Sequence, residues 1–476
     1  MGHARVVIQV MSESHFPPHA NMIMSQSLAD RLRLPNQPVW VTLGIATDTA
    51  FIQLSRNPSP LIRISSRLAE RLKIQNQKTL NVRYDSRNRR LHFGPLLGVL
   101  INRNVEGSNK QLFGLMARFL EECALASTQK GVCLVVFPPE NIHLARKTVR
   151  GWEYRGNQWL QTEFPLPDAI YNRITSRRIE RQPELQQKLR TLKNTCRIPF
   201  FNETFLNKRE VHELLIQDEK MHRLLPETQP YHPARLRNML EKYGVVYLKP
   251  TNGSLGQGII RVTVAGGRWV CQYPEASRTV TRMFHRRKEA LRHLRRRVSP
   301  RYIIQRGLNL VTCDGRPVDF RVLVQKNGKG QWAVTSIVGR IANDQDIVSN
   351  LARGGTLRKA ADVLSSVQAI NKPTIQHLRQ RALEISQTFE QLSQGHFAEL
   401  GVDLVLDKTG HLWLIELNSK PSKTDETVTN PSTAIRPSVN RLIEYVTYIT
   451  GWAPCLTAPN AVPKPRRPDR TRRKRR

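Results

Sequence analysis

The chain has 476 residues, 39% of them hydrophobic, and a formal net charge of +37 from 75 Lys+Arg against 38 Asp+Glu. That length predicts two to four domains, and the apolar content excludes a wholly disordered chain. No apolar run has membrane-spanning length, and the start, Met1 to Val10, reads as a short alternating strand rather than a signal peptide.

Part of the charge is local. Residues 463–476 hold nine basic residues and one acid, so this stretch supplies +8 and leaves +29 elsewhere. Residues 454–476 are rich in proline and arginine and read as a disordered basic tail. Such a field attracts nucleic acid or other polyanions, but no nucleic-acid recognition module accompanies it, so nucleic acid is not expected as the primary partner. Cys123, Cys133, Cys196, Cys271, Cys313 and Cys455 are scattered without a CxxC pair, which fits reduced thiols in a cytoplasm.

Residues 1–97 contain a repeat. The segment 27–37 recurs as 67–77, with Leu28 and Leu68 at equivalent places 40 residues apart. Each copy predicts a short helix, an Asn-Gln turn and an apolar strand (39–43 and 80–84). Two such units predict a small pseudo-two-fold β-barrel, of double-psi type. Next, strands at 96–102 and 131–137 around a helix at 110–128 predict an α/β unit spanning 98–200. The segment 201–453 carries the remaining motifs, with a basic helix at 284–298 between them. The predicted class is a multidomain α+β and α/β chain.

The first motif is a strand at 245–248 ending in Lys249, followed by the loop Gly253-Ser254-Leu255-Gly256-Gln257-Gly258 and a second strand. A lysine meets phosphate as a point charge, and glycines let backbone N–H groups approach it. Alone, such a loop reads equally as a hairpin. Residues 302–308 read as a strand entering a turn, where backbone groups around Gln305 and Leu308 can pair with an adenine edge; the alternative is an ordinary strand. In 319–324, alternation puts Asp319, Arg321 and Leu323 on one face. Asp319 can accept from ribose hydroxyls and Arg321 can hold a terminal phosphate; a plain cross-strand ion pair is the competing reading. Arg340 and Asn350 add a charge and a turn near phosphate.

Asp403 and Glu416 lie 13 residues apart on either side of a predicted turn at 407–410, with Asn418 on the Glu416 face. Antiparallel pairing would bring these oxygen donors together, an arrangement suited to Mg²⁺ beside phosphates. A lysine, a glycine loop and three hard oxygen donors in this order point to ATP chemistry.

These motifs resemble the YheC/YheD family, endospore coat-associated proteins of the ATP-grasp superfamily. The likeness rests on Asn207-Lys208 through Leu225-Pro226-Glu227-Thr228, the Leu248-Lys249-Pro250 strand end, Asp319-Phe320-Arg321, Asn350 to Gly355, and Glu399 through Asp403 to Trp413–Pro421. The resemblance implies an ATP-grasp fold preceded by a Rossmann-like unit, with ATP between two α+β subdomains. By position it makes Lys208 and Lys249 the nucleotide lysines and Gln305, Arg306 and Leu308 the hinge. It makes Asp403, Glu416 and Asn418 ligands of Mg²⁺, with Mn²⁺ the substitute, and Arg321 and Arg340 the residues steadying the transferred phosphate. Where better-understood ligases carry an acid or lysine in the hinge this chain has Gln305 and Arg306, and where several carry an arginine it has Gly401. A phosphate contact is therefore either missing at Gly401 or supplied from elsewhere.

The expected chemistry is carboxylate–amine ligation through an acyl phosphate, on unidentified substrates, anionic ones among the candidates; the basic helix either engages them or is a solvated face. The alternative is a non-catalytic or kinase-like ATP-binding protein that assembles with spore-coat components. The resemblance implies the mother-cell cytoplasm or the spore coat as location.

Overall fold

The computed structural model describes residues 2–102, 112–253, 256–275, 278–343, 355–424 and 435–452. Ser254, Asn350, Cys455 and the basic tail lie outside them. Among the described residues, no helix is long and apolar enough to cross a membrane.

The repeat is reproduced down to its caps. Helices Gln26–Leu32 and Ser66–Leu72 are each preceded by a serine whose Oγ accepts from a backbone N–H: Ser25 from Leu28 and Ser65 from Leu68, both at 3.3 Å. Each bond satisfies a donor that the first turn leaves open. Leu28, Ala29 and Leu32 are buried on one helix, as are Leu68, Ala69 and Leu72 on the other. The strands leading into the helices, Met22–Ser25 and Leu61–Ser65, pair antiparallel with Ile23 opposite Arg63. Those residues are themselves 40 apart, so the pseudo-two-fold axis passes between them. Each leading strand finds its other neighbour at a distance: Met22–Ser25 runs parallel to Ile52–Ser55, and Leu61–Ser65 to His3–Met11. The eight-stranded sheet begins at Ala46–Ala50 and ends at Ile52–Ser55, so its two edges are joined by Phe51 alone and the sheet is nearly a closed barrel.

In the second unit, Leu96–Leu100 is central. Cys133–Phe137 and Ala169–Asn172 lie parallel to it on opposite sides, and Phe200–Phe201 follows. The helix of this unit is Ala117–Gln129, shorter at its start than the predicted 110–128 because a 3-10 turn, Gly114–Met116, occupies the preceding residues. The barrel and one face of this sheet share a continuous core. Ile8, Leu43 and Phe93 belong to the same buried cluster as Leu96, Val135 and Ile170. The opposite face packs on Ala117–Gln129 and on the C-terminal helix Pro437–Ile449.

Two further sheets flank a cleft. One runs Thr228–Pro230, Tyr302–Arg306, Val245–Pro250, Ile260–Ala265, Arg268–Glu275, Arg278–Phe284, all antiparallel. Its helices are Pro233–Tyr243 and Arg287–Arg295. The basic helix is thus shorter than the predicted 284–298: Phe284 closes the edge strand and Arg286 is the N-cap. The other sheet runs Thr356–Lys359, Trp332–Ile341, Arg316–Lys326, Glu399–Leu406, Leu412–Asn418. The helix Ile375–Leu392 shares its core: Leu378, Ala382 and Ile385 lie in one buried cluster with Phe320, Val322 and Val324. That leaves Asp319 and Arg321 on the other face, toward the cleft.

The paired caps generate a prediction. Ser25→Ala and Ser65→Ala should each destabilise the chain by about 1 kcal/mol, additively because the helices are separate. Denaturant titration of the two single variants and the double variant checks this.

Candidate functional site

The cleft holds a cavity of about 650 Å³ whose lining includes Lys208, Lys249, Gly256, Gln305, Arg306, Leu308, Asp319, Arg321, Arg340, Asp403, Glu416 and Asn418. Twelve predicted site residues, from segments spread over more than 200 positions, therefore face one space. Gly253 and Gly258 belong to the adjoining loop. Gly258 has φ +72°, and a Cβ there would lie 2.9 Å from the Tyr302 hydroxyl, so the turn requires glycine.

The middle of the cleft is charged, and strand register sets it. Arg321 sits opposite Asp403, Asp403 opposite Glu416, Gly401 opposite Asn418, and Asp319 opposite Arg340. A bulge between Asp403 and Leu404 re-aims the strand at this point. Arg321 grips Asp403 with two donors, Nε on Oδ1 and Nη2 on Oδ2 at 3.0 Å. Arg340 bridges the two acids: its Nε donates to Asp319, and its Nη2 lies 2.9 Å from Asp403 Oδ2. The result is a buried row of alternating charge, Asp319, Arg340, Asp403, Arg321. The cross-strand ion pairs that the sequence left open are formed, Asp319 with Arg340 and Arg321 with Asp403.

Burial opposes ionisation of Asp403, yet Arg321 and Arg340 outweigh it and hold its carboxyl below the usual range. Burial likewise opposes the charge on Arg340, and Asp319 and Asp403 more than restore it.

Lys208, the first residue of helix Lys208–Leu215, ties the two sides of the cleft. Its Nζ donates to Glu416 Oε1 at 2.7 Å and to the Gly253 carbonyl at 2.8 Å. Lys249 is buried and donates to Gln305 Oε1 at 2.6 Å, while Gln305 Nε2 donates to Thr228 Oγ1 at 3.2 Å. Burial, reinforced by repulsion from Lys208, pushes the Lys249 ammonium down to about 8.

The strand holding Gln305 is internal to its sheet. The Arg306 N–H is taken by the Glu227 carbonyl and the Gly307 N–H by that of Val245, which leaves Leu308 as the hinge position beyond the ladder. Tyr247, Ile259, Leu308, Leu310, Val405 and Ile415 make this end of the cleft apolar.

Gly401 lies close to Pro421 and Arg321. A Cβ there would lie 3.1 Å from Pro421 Cβ and 3.4 Å from Arg321 Cδ, so the Arg321 side chain crosses the space above the glycine.

Among the described residues no three His, Cys, Asp or Glu side chains converge as a metal cluster. A cation here would rest on two acids and an amide. Asn418 Nδ2 lies 3.5 Å from Asp403 Oδ2, and the Glu416 side chain is a quarter exposed on the cleft wall. This all-oxygen set suits a hard divalent ion.

The family model for YheC/D-like ATP-grasp matches residues 197–449. The chain belongs to this family. It is 31% identical to the endospore coat-associated protein YheD of Bacillus subtilis (strain 168), over 78% of this chain and 82% of that protein. It is 24% identical to the endospore coat-associated protein YheC of the same strain, over 64% of this chain and 85% of that one. Among solved structures, D-cycloserine synthetase DcsG aligns at 14% identity and a TM-score of 0.43, covering 74% of this chain and 99% of that one. The ATP-grasp fold thus occupies the C-terminal half, behind the α/β unit and the nearly closed barrel.

Sequence reasoning missed Thr228, which orients Gln305, and Glu227, which accepts from Lys242 at 2.7 Å and from Tyr243. Both lie in the quoted Leu225–Thr228 motif, but only the fold brings that motif beside Gln305. It also assigned no role to Lys420 and Pro421, which end the last motif and line the cleft.

Removing Arg340 would leave Asp319 and Asp403 buried beside each other. Arg340→Ala should therefore cost about 3–5 kcal/mol of stability, the range for breaking one partner out of a buried ion pair. Asp403 is held below its ordinary value, so its contribution is complete above that value and fades as pH falls beneath it. Denaturant melts at neutral pH should show the full loss, and melts in strong acid a reduced one.

Proposed function

We propose that the chain is an ATP- and Mg²⁺-dependent carboxylate–amine ligase working through an acyl phosphate. The observation that carries this is the convergence of Lys208, Lys249, Arg321, Arg340, Asp403, Glu416 and Asn418 on one cleft with an apolar slot at its hinge end. In this reading the slot from Tyr247 to Ile415 takes the adenine, with Leu308 offering backbone groups to its edge. Lys249 and the loop around Gly256 meet the phosphates. Asp403, Glu416 and Asn418 would hold Mg²⁺, which when bound neutralises phosphate charge and holds the triphosphate in line.

A substrate carboxylate oxygen then bonds to the γ-phosphorus as the bond to the β-phosphate oxygen breaks, releasing ADP. An amine next attacks the acyl carbon and inorganic phosphate leaves. Arg340 and Arg321 sit where charge builds on the transferred group, and the chain needs no covalent nucleophile of its own. Lys208 links loop and Glu416, so it would couple loop position to the occupied site. By kinship to YheD and YheC, the protein is assigned to the mother-cell cytoplasm or the spore coat.

One observation favours the alternative, a kinase-like or non-catalytic ATP-binding protein: Asp403 has both oxygens committed to arginines. Hydroxylamine separates the two, since only a ligase gives hydroxamate together with ADP.

Calorimetry should show Mg-ATP binding, and Lys249→Ala should weaken it by about 1.5–3 kcal/mol, as expected for a lost charge-assisted hydrogen bond. A folded sample without binding rejects the proposal. Lys249 is an ammonium below about 8 and an amine above it. ATP affinity should therefore be complete at pH 7 and decline as pH rises past that value, a decline that Lys249→Arg should remove. Glu416→Gln should abolish turnover across a Mg²⁺ titration while leaving the fold and part of the nucleotide affinity intact; normal turnover at limiting Mg²⁺ would exclude the metal assignment.

A further inference from the structure

The cleft continues past the charged middle, away from the hinge. Its far half is built at the second unit, outside the carboxyl ends of Leu96–Leu100 and Ala169–Asn172. The chain leaves Leu96–Leu100 for a strand on one side, Cys133–Phe137, and later adds Ala169–Asn172 on the other. The strand order reverses between these two neighbours, and such a switch point opens a crevice where open α/β sheets bind ligands. Asn102 and Thr175, just past the two strand ends, both line the cavity.

The wall there is apolar. Ile101, Phe113, Leu115, Met116 and Leu120 all line the same cavity, and Leu115 is 87% exposed although it belongs to that wall. A leucine so exposed on a concave surface offers area to a ligand rather than to the core.

The polar groups of this half are engaged within the chain. Asn102 Nδ2 donates to Thr175 Oγ1 at 2.5 Å, and Asn102 Oδ1 accepts from the Thr175 N–H at 2.9 Å. Arg173 donates to the Pro421 carbonyl at 3.0 Å and lies 3.6 Å from Glu399. Lys423 donates to Glu399 at 2.6 Å, and Lys420 to Glu180 and to the Ile174 carbonyl. Arg173 and Lys423 thus share Glu399, and Lys420 faces Glu180, so these three cations are held by carboxylates of this chain.

This half also reaches the charged middle directly. Pro421, held by Arg173, and Arg321, held by Asp403, meet across Gly401.

We propose that the carboxylic acid activated in this cleft has an apolar body, aliphatic or aromatic. That body packs on Leu115 and Met116, and its single carboxylate points past Pro421 toward Arg321. The inference rests on the ligase reading above and narrows its substrate class, against the anionic substrate that overall charge suggests.

The test uses the full chain with a non-hydrolysable ATP analogue and Mg²⁺. Calorimetry compares N-acetylleucine, N-acetylphenylalanine and 4-phenylbutyrate with glutarate and citrate. The apolar acids should bind at least about tenfold more tightly than the polyacids, from the area they bury. Leu115→Asp, at an exposed site that should not disturb folding, should erase that preference and leave affinity for the analogue unchanged. Glutarate or citrate binding as well as the apolar acids, no binding by any apolar acid, or an unaltered preference in Leu115→Asp would each overturn the inference. Nucleotide binding in the same cells separates the two readings. Loss of the nucleotide signal rejects the ligase, whereas intact nucleotide binding with polyacid preference rejects only the apolar substrate.

Discussion

The site depends on one strand. Glu399–Leu406 pairs on one side with Arg316–Lys326 and on the other with Leu412–Asn418, and these two registers place Arg321, Asp403 and Glu416, while Arg340 comes in from the next strand beyond, opposite Asp319. A slip of one residue would turn Asp403 into the core and Leu404 into the cleft, because side chains alternate. The register is held by Val402 and Leu404 on the buried face, packed with Phe320 and Val322. Hydrophobic packing on one side of the sheet therefore fixes the electrostatics on the other. The alternating row from Asp319 to Arg321 is then the arrangement that buried charges tolerate, since each ion has an opposite neighbour to offset its lost hydration.

Much of this was legible because it is local. Alternation in Asp319–Val324 and the turn between Asp403 and Glu416 are short-range patterns, and the structure has both. The repeated Leu-Ala helices were equally legible, since their leucines recur within a short segment, whereas the serine caps two residues before each copy were not singled out. Pairing partners were not. That Asp319 meets Arg340 could not be read, because the strand that brings Arg340 alongside follows a turn whose register the residues do not announce. The start of the basic helix was misplaced for a related reason: Phe284 suits a helix or an edge strand, and only its partner Trp269 decides. The far half of the cleft was invisible, as it joins residues near 101, 115, 173 and 421 that share no motif.

The continuous core between barrel and second unit also qualifies a reading by sequence segments. Among the described residues none before Ile101 lines the cleft, so the barrel gives it no wall. It nonetheless covers the face of Leu96–Leu100 that the helices leave open, and the strand ends forming the far half of the cleft emerge from that same strand. The barrel contributes to the site as a backing layer that keeps those ends in place.

The axis between Ile23 and Arg63 has a consequence for how such a barrel can assemble. Neither copy of the repeat is a self-sufficient folding unit, because the strand preceding the second helix lies beside the first strand of the chain, and the strand preceding the first helix lies beside one from the middle. A lone copy would have to borrow its neighbours from another molecule, and its folding would then depend on concentration. Carrying both copies on one chain turns that encounter into an internal one, at an effective concentration set by the connecting segment. The barrel can therefore form at any dilution, and its two-fold symmetry is that of a dimer enclosed within a single polypeptide.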